Sequence, residues 1–129
     1  MRAINIELGQ ELKQIELVPM ADTHVGDRHA DIPLFRKRVE YVLNTPCAFA
    51  LFNGDLGNYA TKTSPSDVYG EALPPMEQLK RITALIGPIK HKTIAVTQGN
   101  HEARLYKNDG IDITRLICRE LGIEDKYSD

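Results

Sequence analysis

The chain has 129 residues, 42% of them hydrophobic, and a formal net charge of -2 from 16 basic and 18 acidic side chains. That is the length of one domain, able to bury about two-thirds of its unfolded surface without staples. The near balance of charge implies no strong electrostatic partner, and it disfavours tight nonspecific nucleic-acid binding, which rests on a basic face. Cys47 and Cys118 make no C-x-x-C pair and lie in apolar segments, the pattern of reduced core residues in a cytosolic protein. The longest apolar run, Cys47 to Phe52, is too short to span a bilayer. The opening "MRAINIELGQ" carries Glu7 and no continuous apolar stretch, so it does not read as a signal peptide.

In chain order, "AINIELGQELKQIELVPMAD" alternates around Gly9-Gln10 and predicts a β-hairpin of 3–8 and 13–21. "PLFRKRVEYVL" sets Leu34, Phe35, Val39, Val42 and Leu43 near helical spacing with a basic outer face, which predicts a helix over 33–44. Pro46 ends it, because the residue before proline avoids the α region. "CAFALFNGD" is a continuous apolar run, as expected of a parallel strand covered on both faces. A polar loop punctuated by Pro and Gly, with room for one helical turn, occupies 61–75. Residues 75–86 predict a helix with Pro75 in its first turn, stopped by Gly87-Pro88. "KTIAVTQGN" reads as another buried strand, and 112–121 as a helix capped by Asp112 and stopped at Gly122. Strands and helices in alternation indicate an α/β domain with a largely parallel sheet.

Each core strand ends in polar residues suited to chemistry. The first leads into Asp22 and His24, the second into Gly54, Asp55 and Asn58, and the third into Asn100, His101 and Glu102. In an open α/β sheet the carboxyl ends of parallel strands line one crevice, where ligands bind. Carboxylate, amide oxygen and imidazole together favour manganese, iron, nickel or zinc over a closed thiolate site.

Asp22-Thr23-His24, Gly54-Asp55 and Gly99-Asn100-His101-Glu102 together resemble the motifs of the calcineurin-like metallophosphoesterases, with the last in strand-to-helix context. The resemblance extends through most of this chain but spans the N-terminal half of the family's domain, an αββα sandwich. It implies a phosphoester hydrolase, acting on phosphomonoesters or phosphodiesters with two divalent metal ions, manganese first. Asp22 and His24 would ligate one metal, Asp55 would bridge both, and Asn100 would ligate the second. His101 would protonate the leaving oxygen. Two cations ~3.5–4 Å apart can clamp phosphoryl oxygens for an in-line attack. A bridging carboxylate offers the two oxygens this requires.

The departures set limits. The family expects a further His and a Gly-His-x-His, and this sequence has no histidine after His101. His91 lies about eight residues before the polar end of its strand, on the order of 25 Å away at ~3.3 Å per residue. His29, in the loop after His24, is a candidate ligand or substrate contact. Where the serine/threonine phosphatases of the family carry Asp-Arg-Gly, this chain has Asn58-Tyr59-Ala60. Asn58 can orient the imidazole of His101 through its carbonyl but cannot stabilise an imidazolium as a carboxylate would. Arg104 and Arg28 are candidate phosphate contacts, and Glu102 a candidate orienting residue. A non-catalytic metal-binding or interaction module on the same scaffold is the alternative expectation. A cytoplasmic location and association of two copies through an uncovered sheet face are also expected.

Overall fold

A computed structural model describes residues 4–60 and 73–128 of the chain. Strands β1 (Glu16–Met20), β2 (Ala48–Asn53), β3 (Thr93–Thr97) and β4 (Tyr127–Ser128) form one sheet in the order β1-β2-β3-β4. Every pairing is parallel. Helices α1 (Ile32–Asn44), α2 (Pro75–Ile86), α3 (Asn100–Asp109) and α4 (Ile113–Leu121) complete the α/β architecture. The loop expected over 61–75 falls outside the described residues as far as 72. No helix among the described residues is long and apolar enough to cross a membrane.

Local signals account for the helix bounds. Asp31 Oδ1 accepts from the Leu34 N–H at 2.9 Å to start α1, and Asp112 Oδ1 accepts from the Arg115 N–H at 2.9 Å to start α4. Each side chain satisfies an amide with no partner inside its helix. Gly122, left-handed at φ 71°, closes α4. At the other end of α1, Lys92 donates to the carbonyls of Val42 and Thr45 at 2.6 and 2.5 Å. Gly87 ends α2 as expected, but the chain keeps winding as a 3-10 helix over Gly87–Lys92. Pro88 sits in the first turn of that helix, where a missing N–H costs nothing.

The expected N-terminal hairpin is not formed. Residues 4–15 contain no strand, and β1 pairs in parallel with β2. Alternation in "INIEL" marks a segment able to be a strand, but periodicity does not choose a partner. β1 places Val18 and Met20 opposite Ala50 and Phe52, which seats its inward residues on the core. The sheet is therefore wholly parallel among the described residues.

Burial alternates along the sheet. Met20, Ala48, Ala50, Phe52 and Val96 are fully buried against the helices, with Ile82, Ile86, Ile89 and Ile117 also at 0% exposure. On the opposite face Leu17 is 58% exposed, Pro19 is exposed, and Phe49 and Leu51 are half-buried. The strand order supplies the reason: strands added in sequence order through right-handed crossovers carry their connecting helices on a single face. The expectation of a strand covered on both faces is thus corrected for β2. Of the apolar residues grouped by helical spacing in α1, Leu34 and Leu43 are 42% and 43% exposed, whereas Phe35, Val39 and Val42 are buried. Cys118 is buried, and burial pushes its thiol up to about 12. Cys47, expected in the core, is half-buried at the entrance to β2, and both thiols are free.

Candidate metal centre

Three parallel strands necessarily open their carboxyl ends at one edge, and three loops meet there: 21–29 after β1, 54–60 after β2 and 98–99 after β3. The first two run side by side. The His24 N–H donates to the Asp55 carbonyl at 3.0 Å, the Val25 N–H to Leu56 at 2.8 Å, and the Asn58 N–H to Val25 at 3.1 Å. Thr23 Oγ1 adds a bond to the Leu56 carbonyl at 2.8 Å. This lacing extends strand-like pairing past the sheet, so the position of one loop decides that of the other.

The second and third loops touch backbone to backbone. A Cβ built on Gly99 would lie 2.3 Å from both N and Oδ1 of Asp55, and one on Gly54 would lie 2.4 Å from N and Cα of Gly99. Both glycines are therefore required by close approach. With that space open, Asp55 Oδ1 reaches the His101 N–H at the start of α3, at 2.9 Å. A carboxylate at a helix N-terminus is favoured by the exposed amides and the helix dipole.

Asp22, His24 and Asp55 can each present a ligand atom such that all of them lie within 4.8 Å of one another. Three ligand atoms about 2.0–2.2 Å from one cation lie roughly 3.3–3.6 Å apart at tetrahedral angles, so the three side chains would close inward by up to about 1 Å to share an ion. His24 Nδ1 is buried without a hydrogen-bond partner among the described residues. Two carboxylates and an imidazole held this closely fit a divalent cation, which would offset their charge.

Backbone strain marks the same residues. Asp22, His24 and Asp55 have φ of 53°, 45° and 51°, and with Tyr59 at 45° they are the non-glycine residues with positive φ among those described. Each left-handed residue costs about 1–3 kcal/mol, and such strain clusters where function needs it. All three proposed acidic and imidazole ligands carry it.

Asn100 is exposed on the first turn of α3, directly before His101. The His101 ring packs edge-on to His24 with centroids 4.6 Å apart. Its Nδ1 lies 2.6 Å from the backbone carbonyl of Asn58. The orienting carbonyl is thus the main-chain one rather than the side-chain amide. Asn58 itself is buried.

Glu102 is 1% exposed and acts as a clamp. Its carboxylate accepts from the N–H groups of Asp55 at 2.9 Å, Gly99 at 3.1 Å and Gly57 at 3.2 Å. One side chain thereby ties the second loop to the third. Burial pushes its carboxyl above the usual carboxylate range; the amides of Gly57 and Asp55 pull it back, and the Asp55 charge pushes it up again. His29 is exposed and lines an open crevice with Asp22, His24, Asp27 and Asn58. Arg28 is exposed in the same loop, and Arg104 is half-buried on α3. His91 lies in the last turn of the 3-10 helix before β3, at the opposite end of that strand. Sequence reasoning missed Thr23 as a loop tie, although it lies between Asp22 and His24. It also missed Asp27, whose carboxylate accepts from the His29 N–H at 2.6 Å. Comparison with protein-family models and with curated proteins finds no match to this chain.

Proposed function

We propose that this chain is a metal-dependent phosphoester hydrolase of the metallophosphoesterase type. The observation that carries the reading is the Asp22–His24–Asp55 cluster at the strand ends, with the His101 ring against His24. Its support from sequence is the set of three motifs at the matching strand ends. Asp22, His24 and Asp55 would hold one cation, with Asp55 shared with a second that Asn100 also contacts. Divalent cations bound there, manganese first and zinc, iron or nickel as alternatives, would supply Lewis acidity toward a phosphoryl oxygen.

The chain's own residues supply the rest. Asp55 is oriented by the His101 amide and its loop by Glu102, so its carboxylate is set before any ligand arrives. A carbonyl can only accept, so Nδ1 of His101 carries a proton, and Nε2 is the nitrogen that would take up a second one and, from the imidazolium, pass it to the leaving oxygen. The substrate class is a phosphoester, and a cytoplasmic location accords with two free thiols.

Titration calorimetry with manganese tests the reading. The wild type is expected to bind in the micromolar to millimolar range, because the sequence offers few imidazoles. Asp55→Asn keeps an acceptor for the His101 amide and removes the charge, so it is expected to weaken binding by about tenfold or more. Equal heats from both proteins would remove Asp55 from the site. The second reading, a non-catalytic metal-binding module, is favoured by the single imidazole in the Asp22–His24–Asp55 cluster. Manganese binding without turnover of an activated phosphodiester would select it.

Association of two copies belongs to the same proposal. The half-exposed sheet face around Leu17, Phe49 and Leu51 is the surface a second copy would bury. Light scattering is expected to report about twice the chain mass of 14.5 kDa. A monodisperse monomer would refute this part alone.

A further inference from the structure

α2 buries Leu79, Ile82, Leu85 and Ile86, and amid this apolar face lies one amide side chain, Gln78, at 0% exposure. A buried primary amide brings two donors and an acceptor oxygen that all need partners, so its place in a core calls for a specific reason. Its Oε1 accepts from the consecutive N–H groups of Asn58 and Tyr59, both at 3.1 Å, and its Nε2 donates to the Leu73 carbonyl at 2.8 Å. Consecutive amides converging on one oxygen form the kind of backbone nest that more often takes an anion. The left-handed Tyr59 belongs to that bend.

We propose that Gln78 is a positioning residue for His101. The peptide it grips is the one whose neighbouring carbonyl, that of Asn58, meets His101 Nδ1 at 2.6 Å. The side chain of Asn58 does not make that bond. The carbonyl's position is therefore decided by what holds the backbone of residues 58 and 59. Val25 O takes the Asn58 N–H from the crevice side at 3.1 Å, and Gln78 Oε1 takes the same N–H and the next one from α2. Gln78 thus acts through the loop to keep the proton on Nδ1 and to leave Nε2 for exchange. The catalytic meaning rests on the reading of His101 as the acid, but the tautomer is a property of the metal-free fold.

Long-range proton–nitrogen correlation spectra of the imidazoles in the metal-free full chain test this. Wild-type His101 is expected to show a single Nδ1–H tautomer. Gln78→Met, similar in shape but unable to accept from the amides, is expected to convert it to a mixture of tautomers. The His91 signals, at the far end of β3, stay unchanged and report that the fold is intact. Gln78→Glu keeps an acceptor oxygen and is expected to keep the Nδ1–H form. A folded Gln78→Met protein with one Nδ1–H tautomer would overturn the proposal, as would an Nε2–H tautomer in the wild type. If Gln78→Met does not fold, Gln78→Glu decides: loss of the Nδ1–H form despite the retained oxygen overturns it. Failure of manganese to bind in calorimetry would count against the hydrolase and leave the tautomer result standing.

Discussion

His101→Ala is expected to lower turnover of an activated phosphodiester by about 10²–10⁴-fold, the usual contribution of a positioned general acid, while manganese affinity stays near wild type. Asn100→Ala is expected to do the reverse at the binding step, weakening the metal. The contrast falls on adjacent residues at the N-terminus of α3, so a general loosening of that helix would not produce it. Because the His101 ring packs on His24, its removal leaves a gap beside a proposed ligand. His101→Gln fills part of that gap and is expected to show the same loss of turnover with intact metal affinity. Loss of manganese binding in both His101 variants would mean that its role is ligation rather than proton transfer.

Gly99→Ala is expected to be among the most damaging single-methyl changes in the fold. The added carbon would stand 2.3 Å from Asp55 N and Oδ1, far inside any feasible contact. Neither atom can yield freely, since Glu102 holds the Asp55 N–H and the His101 amide holds Oδ1. Overpacking of this kind costs about 1–3 kcal/mol, and more where a hydrogen-bonded network breaks with it. Chemical denaturation is expected to show that loss together with weakened manganese binding. Gly87→Ala is the matched control: its Cβ meets nothing within 4 Å and its φ is -44°, so it is expected to be neutral or slightly stabilising. Equal midpoints for Gly99→Ala and wild type would show that the two loops do not approach as closely as described.

What the sequence determined by itself was local or additive. α2 spans Pro75–Ile86 as its proline and periodicity predicted, and α4 begins after Asp112 and ends before Gly122, because caps act within one turn and need no distant partner. Apolar runs located β2 and β3, and the chemical types of Asp22, His24, Asp55 and His101 were readable because polar residues at strand ends stand out from the buried runs before them. The tertiary structure alone decided partners. The alternation around Ile4 and Ile6 suggested a hairpin, yet β1 joined β2 in parallel, since Val18 and Met20 gain more by facing Ala50 and Phe52 across the covered side. Which sheet face would be covered followed from strand order, a property of no single segment. The left-handed backbone at three proposed ligands runs against local preference and is held by the lacing between loops, so no propensity could announce it. The bond from His101 goes to a backbone carbonyl, an atom every residue carries, and the Gln78 contact that holds that peptide spans 20 positions to Asn58. Contacts made by atoms common to all residues leave no mark on composition or spacing, and only the packed chain brings them together.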